Sequence, residues 1–448
     1  MVTPLPLWPH QEAAVPDLLA GHHLLLWSMG TGKTAALIRA GQRAGGRQLW
    51  VTLGMLIAQT EREFHRFRPG ASIQIVRTGK DNISTTADVV IVSYDLMRTI
   101  PVWRQLFKLR WASCVADEGH ALAHGQAVRT RAFYGARQSS PGALYLRCDR
   151  VWIATGTPIL NSPDELWTHL SRLAPHLLPE HVKTRQHFLD EFCVVQMKTF
   201  GPVVVGGRNL GQLSSILKCC SSRLRLEDVT TLPELTVATL PVEVTAADRR
   251  AMDAALTDEQ LAEIKVILTE IEGGSEAAWQ RLQAMMLPLA SMRRVTALAK
   301  APGCVEAIRA ELDGGADRIV VFGSHIDALK YIHKYSRDTR LIIGETAQVQ
   351  RDMALAAFEQ GIARVLVCNT SVGGFGLNLQ HSARCFMLDL PWTPAGLDQA
   401  IARLHRAGQR RHVHVSLLAV ARSIDERVAT ILQRKRRLIS EIVEGTTA

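Results

Sequence analysis

The sequence predicts an α/β protein built from two doubly wound parallel-sheet lobes with helical insertions between their cores. Three observations carry that reading. The chain is 448 residues long. Short apolar runs alternate with helical patterns in both halves. A glycine-rich loop of phosphate-binding type follows the first of those runs. A single hydrophobic core rarely grows past roughly 250–300 residues, so two domains are expected.

The first-half runs are HLLLWS (23–28), RQLWVTL (47–53), IQIVRT (73–78), DVVIVSY (88–94), SCVADE (113–118) and RVWIATG (150–156). Apolar runs of this length suit strands covered on both faces, as in a parallel sheet. Helical patterns at 33–44 and 55–67 lie between them and complete the βαβ alternation. The stretch from about 160 to 300 is richer in helical pattern. Within it, TTLPELTVATLP (230–241) carries two prolines and no helical period and is expected to be a linker. After the possible cap Thr245, residues 246–272 are expected to form one long amphipathic helix. The second half resumes the alternation with RIVVFGS (318–324), TRLIIG (339–344), ARVLVCNT (363–370), RCFMLDL (384–390) and HVHVSLLA (412–419). Helices are expected at 325–336, 347–360, 395–407 and 424–443. The domain reading is a first lobe over 1–229 with a helical insertion after about 175, a linker over 230–241, and a second lobe over 242–448 with a helical insertion before about 315.

Hydrophobic residues make up 47% and charged residues 21% of the chain, an ordinary globular balance rather than a disordered one. The formal net charge is +10, which suits a polyanionic partner but says nothing of fold. None of the eight cysteines forms a C-x-x-C pair or a zinc-spaced cluster, so reduced core thiols are expected. The start, MVTPLPLWPH, lacks a basic region followed by an apolar stretch, and no apolar run approaches the ~20 residues of a membrane span. The expectation is a protein with no membrane attachment, cytoplasmic in a bacterial or virus-infected cell, or nuclear in a eukaryote, and not secreted.

SMGTGKT (28–34) follows the first strand and opens a helix, the context a phosphate loop needs. Gly30 and Gly32 let backbone N–H groups in the loop Met29–Gly30–Thr31–Gly32 turn toward an anion. Lys33 can reach β- and γ-phosphates, and the Thr34 hydroxyl can ligate Mg²⁺. The usual first glycine of such a loop is Trp27 here. SCVADEGH ends in Asp117 and Glu118, placed by a parallel sheet at the same edge. Asp117 is the candidate Mg²⁺ partner, and Glu118 the candidate for orienting and deprotonating the attacking water. An acidic turn opening a helix is the plain alternative. Thr155 and Thr157, in TGTP after the next strand, are candidates to bond Glu118 or His120 and report the γ-phosphate state. In the second half, Gly373, Gly374 and Gly376 permit close approach to a phosphate. Arg403 and Arg406, three apart, share one helix face and are candidates to stabilise γ-phosphate charge. A solvated basic helix is the alternative there, as it is for QRKRR (433–437).

The ordered blocks WPHQ (8–11), MGTGKT (29–34), VIVSYDLM (90–97), DEGH (117–120), TGTPILNSPDELW (155–167), SVGGFGLNLQ (371–380) and QAIARLHRAGQRR (399–411) resemble the Swi/Snf family of superfamily-2 helicase-like ATPases, which are DNA translocases. LPWTP (390–394), and VHVSLL with SIDER after the last block, extend the likeness over nearly the whole chain. Segments 293–308 and 319–332 are most similar to the annealing-helicase branch. The resemblance implies two RecA-like lobes, ATP and Mg²⁺ as cofactors, and a monomer acting on double-stranded DNA with little sequence preference. It implies that Gln11 reads the adenine edge, that Gln399 and Gly374 lie beside the nucleotide, and that Ser93 and Thr370 touch DNA phosphates. Arg403 and Arg406 would be the arginine fingers. The chain departs from the family at Trp27 and Ser28, where acidic residues usually stand, and at Ala121–Leu122–Ala123–His124, where the family continues with basic residues and Asn. Ser371 and Ala402 depart as well.

Lys33, Asp117 and Glu118 lie in one lobe, Arg403 and Arg406 in the other. Neither lobe then has a complete site, and ATP would bind between them, with closure completing the chemistry. The expected function is a duplex-DNA translocase driven by ATP hydrolysis. A strand-separating DNA or RNA helicase is the first alternative; an ATP-gated nucleic-acid clamp with little turnover is the second.

Overall fold

The computed structural model describes the chain except residues 1–2, 137–141, 157–158, 160–161, 199–200, 256–258, most of 261–285, 371–376, 378, 392–393 and most of 422–448. Two units divide it. The first takes Met1–Val194 and Gly206–Thr230; the second takes Val195–Val205 and Thr231 through Leu438.

In the first unit the apolar runs become β1 (His23–Trp27), β2 (Gln48–Thr52), β3 (Ile73–Ile75), β4 (Val89–Ser93), β5 (Ser113–Asp117) and β6 (Val151–Ala154). β7 (Cys193–Lys198) and β8 (Gly201–Gly207) form a two-stranded sheet of their own, most of it in the segment Val195–Val205 that groups with the second unit, and β9 (Ser221–Leu224) returns to the main sheet beside β1. The main sheet runs β3-β4-β2-β5-β6-β1-β9, every pair parallel. The segment after about 175 was expected to be a helical insertion; it holds α8 (Arg185–Phe192) and α9 (Leu210–Cys220), but also β7, β8 and β9. Only β9 there pairs with the main sheet. It carries just one aliphatic residue, Leu224, because it forms the sheet's edge and is half solvated.

Helices α1 (Pro9–Ala20), α2 (Lys33–Ala44) and α3 (Ile57–Phe67) cover one face. Val15 and Leu18 of α1, Leu37 and Ile38 of α2 and Phe64 of α3 meet Leu25, Trp50, Val115 and Trp152 of the strands in one buried cluster. The remaining first-unit helices are α4 (Tyr94–Met97), α5 (Ile100–Lys108), α6 (Val128–Tyr134) and α7 (Trp167–Leu173).

The second sheet is β10 (Leu235–Pro241), β11 (Ile319–Gly323), β12 (Thr339–Ile342), β13 (Val365–Asn369), β14 (Arg384–Met387) and β15 (Val413–Ala419). Its order is β10-β15-β14-β11-β13-β12, again all parallel. The expected linker over 230–241 is therefore corrected: Leu235–Pro241 is an edge strand paired along its whole length with β15. An edge position tolerates its terminal proline, since no neighbour requires that N–H. The helix expected over 246–272 begins as foreseen, with the Thr245 hydroxyl accepting from the Asp248 N–H at 3.0 Å. It runs as α10 (Ala246–Ala254) and turns at Ala255; most of the remainder lies outside the described residues. The helix Met286–Asp313 follows and packs Ala297, Ala301, Cys304 and Ile308 against β11 and β13. The helix expected over 395–407 is shorter, Pro394–Ile401. The Arg403 carbonyl accepts from the Leu379 N–H, and Gly408 turns the chain at φ 97°.

One ion pair fastens this unit from inside. Lys300 is fully buried; its ammonium donates to Asp425 Oδ2 at 2.9 Å and to the Leu418 carbonyl at 3.1 Å. Removing one partner leaves the other charge uncompensated, which costs about 3–5 kcal/mol. Lys300→Met is expected to lower the denaturant midpoint strongly, whereas Lys300→Met combined with Asp425→Leu recovers much of the loss. Equilibrium unfolding of both variants checks this.

Candidate nucleotide site

Parallel strands end at a common edge, and β1, β2, β5 and β6 deliver their last residues together: Asp117 sits in register with Ala154, and Val51 with Ala116. At this edge the chain leaves β1, turns through Ser28–Gly32 and enters α2 at Lys33. Gly30 has φ 83° and Gly32 φ 77°, left-handed values that a side chain resists. A Cβ on Gly32 would also strike the Gln11 amide at 2.0 Å. Within the loop, the Thr31 hydroxyl donates to the Ser28 carbonyl at 2.8 Å, and Thr31 is fully buried. Lys33 Nζ donates to the carbonyls of Trp27 at 2.8 Å and Ser28 at 3.2 Å. Thr34, half-buried, follows in the first turn of α2.

Gln11, the expected adenine reader, is tied to the phosphate loop. It is 4% exposed. Its Oε1 accepts from the Trp8 N–H at 2.8 Å, and its Nε2 donates to the carbonyls of Thr31 at 3.4 Å and Gly32 at 3.3 Å. Both ends of the amide are thus engaged by the protein, and the side chain braces the phosphate loop. His10 adds a second brace, its Nε2 lying 2.9 Å from the Thr31 carbonyl and its ring 5.4 Å from that of Trp27. Trp27, standing where an acidic residue was the family expectation, closes β1 at 2% exposure and donates its indole N–H to the Ser222 hydroxyl at 3.2 Å.

The carboxylates stand beside this loop. Asp117 Oδ2 accepts from the Thr52 hydroxyl at 3.3 Å, and Oδ1 from the Glu118 N–H at 3.1 Å. Burial pushes the Asp117 carboxyl up to about 7; the neighbouring Glu118 charge pushes the same way, and Lys33 pulls against both. Glu118 has φ 50°, a left-handed value costing a residue with a side chain on the order of 1–3 kcal/mol. His120 Nδ1 lies 3.4 Å from Glu118 Oε2 and 3.5 Å from the Thr155 hydroxyl. Burial lowers the His120 pKa to about 4, so the ring is neutral at pH 7. Behind it, Tyr94 donates to the Asp117 carbonyl at 2.8 Å. Ala121, Leu122 and Ala123 are buried, and the Thr168 hydroxyl of α7 donates to the Ala123 carbonyl at 2.8 Å. Basic residues would not fit that packing.

Among the expected first-unit residues the structure brings together Gln11, Met29–Thr34, Asp117, Glu118, His120 and Thr155. Thr157 lies outside the described residues, as do Gly374 and the rest of 371–376. Ser93 is 6% exposed, and its hydroxyl caps α4 by accepting from the Leu96 N–H at 3.1 Å. In the second unit Thr370 follows β13, and its hydroxyl is buried with no hydrogen-bond partner among the described residues. Gln399 lies on the helix Pro394–Ile401, half-buried. Arg403 and Arg406, expected on one helix face, follow that helix in turns, with Arg403 N–H bonded to the Ala400 carbonyl. Three side chains of the site escape the sequence reading: His10, Thr52 and Tyr94. Thr52 could have been found from its place at the C-terminal end of a predicted strand, and His10 from its place beside Gln11.

The donor set fits a nucleotide with its magnesium. A lysine at a glycine loop on a helix N-terminus suits phosphates. A hydroxyl and one carboxylate are the hard oxygen ligands Mg²⁺ takes when phosphates and waters supply the rest. Among the described residues no group of three His, Cys, Asp or Glu could hold a metal by itself. None of the described helices is long and apolar enough to cross a membrane.

Two parallel-sheet units, a phosphate loop and a D-E-x-H edge define a helicase-like ATPase of superfamily 2. The SNF2-related domain model matches residues 50–293, more than half of the chain, and the helicase conserved C-terminal domain model matches 304–408. The chain belongs to the SNF2-related family. It is 25% identical to the SWI/SNF-related matrix-associated actin-dependent regulator of chromatin subfamily A-like protein 1 of Xenopus tropicalis, over 97% of this chain and 45% of that protein. It is 24% identical to the DNA annealing helicase and endonuclease ZRANB3 of Bos taurus, over 81% of this chain and 33% of that one. The chain thus spans less than half the length of these relatives. The uncharacterized ATP-dependent helicase YqhH of Bacillus subtilis is 23% identical over 98% of this chain and 80% of its own. A solved structure, the Sulfolobus solfataricus SWI2/SNF2 ATPase core in complex with dsDNA, aligns over 98% of this chain and 93% of that one at 20% identity, with a TM-score of 0.44.

Two outcomes follow from this geometry. Because the folded-state pKa of Asp117 is raised, the native protein holds a proton there that the unfolded chain has already lost. Stability conferred by that proton falls as pH rises from about 4 to about 7. Without nucleotide or Mg²⁺, Asp117→Asn should therefore raise the melting temperature more at pH 8 than at pH 5; an equal shift at both would contradict the raised pKa. Gln11→Ala should weaken binding of inorganic triphosphate as well as of ATP, because the amide braces the loop. Calorimetric titration with both ligands separates this from a base-reading role, which would spare the triphosphate.

Proposed function

We propose that the chain is a DNA-stimulated ATPase that moves along double-stranded DNA by gripping backbone phosphates. The observation that carries the reading is the convergence of Lys33, Asp117 and Glu118 at one sheet edge in a chain of the SNF2-related family. In this reading Lys33 and the loop N–H groups hold the β- and γ-phosphates. Thr34 and Asp117 would hold Mg²⁺, which supplies charge neutralisation on the phosphate oxygens. Glu118 orients the attacking water and takes its proton, and its strained backbone fixes the carboxylate for that task. His120 lies beside Glu118 and meets the Thr155 hydroxyl, a contact suited to passing the state of the γ-phosphate to the strand end of β6. Arg403 and Arg406 are proposed to stabilise charge on the departing phosphoryl group. Gln399 and Gly374 are proposed beside the nucleotide, and Thr157 with Thr155 in coupling.

The relatives supply the DNA part of the proposal. Two carry names of DNA or chromatin proteins, and the net charge of +10 suits a polyanion. Ser93 and Thr370 are the proposed phosphate contacts, and contact with phosphates rather than base edges implies little sequence preference. A single chain is proposed to suffice.

The test is hydrolysis of ATP with no polymer, single-stranded DNA, duplex DNA, forked DNA and RNA. Duplex DNA should give the largest stimulation. Lys33→Ala and Glu118→Gln should each reduce kcat by more than about 100-fold. Arg406→Ala should reduce it by roughly 1,000-fold while leaving ATP binding close to unchanged. Stimulation by RNA alone would replace the translocase with an RNA helicase, and tight DNA binding without turnover would replace it with a clamp.

A further inference from the structure

The first unit carries a cationic surface that the nucleotide site does not use. It is built by α5, with α4 and the short helical turn Leu144–Arg147 packed beside it. α5 buries Val102 and Leu106 and turns Arg104 and Lys108 to solvent. Residues 94–110 and 144–149 hold five cations against two carboxylates. Both carboxylates are already paired: Asp95 with Arg98 at 3.2 Å, and Asp149 with Arg110 at 3.4 Å. Among the described residues, none of Arg104, Lys108 and Arg147 is paired with a carboxylate.

The surface is held rigid from below. Trp103 and Phe107 stack at 4.9 Å, and the Trp103 indole donates to the Ala132 carbonyl at 2.8 Å. The Arg147 guanidinium lies over the Phe107 ring at 5.2 Å, and its Nε is buried with no hydrogen-bond partner. A guanidinium held on an aromatic face keeps its outer N–H groups presented without loss of rotamer freedom on binding. Arg104 and Lys108 are four apart on one helix, which puts their side-chain origins about 6 Å from each other. α5 leads into the start of β5, and the turn Leu144–Arg147 into the start of β6. The surface therefore reaches toward the edge of the sheet opposite the one that carries Asp117 and Thr155.

We propose that this face, with Arg104, Lys108 and Arg147 at its centre, is a second contact for the phosphate backbone of duplex DNA, separate from the contacts proposed at Ser93 and Thr370. The proposal rests on the reading of the chain as a DNA-dependent ATPase. Three cations held on a rigid layer without counter-charge, and no base-reading group among them, suit a sequence-independent grip on phosphates. A motor that holds a second duplex segment while its site cycles on the first can act where two duplexes meet.

The experiment is duplex binding by fluorescence anisotropy across a salt series. It compares the wild type with Arg104→Gln/Lys108→Gln and with the triple variant that adds Arg147→Gln. Each lost phosphate contact should reduce the slope of log affinity against log salt by about 0.9, so the double variant loses about 2 and the triple nearly 3. Affinity at 0.1 M salt should drop by roughly ten- to a hundredfold. ATP hydrolysis without DNA should stay at the wild-type rate in both. The double variant changes only exposed side chains and keeps the test valid if Arg147→Gln disturbs packing. Wild-type slopes in both variants would overturn the proposal while leaving the translocase reading standing. A wild-type protein that binds no duplex would remove that reading and this one with it. Wild-type binding to polyglutamate tighter than to duplex, and lost in the variants, would assign the face to an acidic protein instead and overturn the DNA contact.

Discussion

Parallel strands end where their neighbours end, and that single constraint brings the candidate phosphate-handling groups described in the first unit to one place. β1, β5 and β6 are far apart in sequence, yet Leu25 is in register with Ala154, and Ala154 with Asp117. The residues that follow each strand must therefore share one edge. The phosphate loop, the carboxylates and Thr155 need no further device to find one another. What the side chains add is orientation. Thr52 and the Glu118 N–H fix the Asp117 carboxylate, and Gln11 and His10 hold the loop carbonyls, so the loop N–H groups face the other way.

The edge also gathers buried charge and backbone strain. Two adjacent carboxylates, with Asp117 pushed up to about 7, sit near one lysine that is turned onto main-chain carbonyls. Like charges held this close each oppose the other's ionisation, and burial adds to the effect. The left-handed backbone at Glu118 belongs to the same account: the strain is compensated by the packed strand behind it and keeps the carboxylate in one position. Neutral His120 fits this economy, since a charged imidazole there would satisfy Glu118 and blunt it as a base.

Central strands were legible in the sequence because burial on both faces leaves a continuous apolar run. VVIVS and VLVCN state their own structure. α2 was legible at both ends, bounded by Gly32 and Gly45. Edge strands were not. SSRL in β9 has no apolar run, and β10 is flanked by Pro233 and closed by Pro241, so its local pattern spells a connector while its pairing with β15 makes it a strand. That pairing joins residues nearly 180 positions apart, which no local window contains. The early end of the helix at Ile401 has the same origin, a bond from Leu379 across the fold. At the site, residue types and spacing proposed the chemistry, but the direction in which the Gln11 amide points depends on how α1 meets the loop, and only the assembled structure decides that.

The second unit obeys the same edge constraint with a different means of fixation. Its strand ends are stitched by polar side chains: Asp389, just past β14, accepts from the Ser324 N–H at 2.7 Å, and Asn369 at the end of β13 donates to the Ser324 carbonyl at 3.0 Å. Arg293 donates to the Leu390 carbonyl at 2.6 Å, tying the helix Met286–Asp313 to the same edge, while Lys300 two turns on reaches the segment after β15. A hydrophobic contact in these places would allow sliding by a fraction of a side chain. A buried ion pair and directed hydrogen bonds do not, because any displacement strands a charge or a carbonyl in a dry interior. In the first unit part of the buried polar set, Gln11, Thr31, Thr52 and Thr155, gathers at the edge that carries Asp117; in the second such groups hold β11, β13 and β14 in step with the helix behind them.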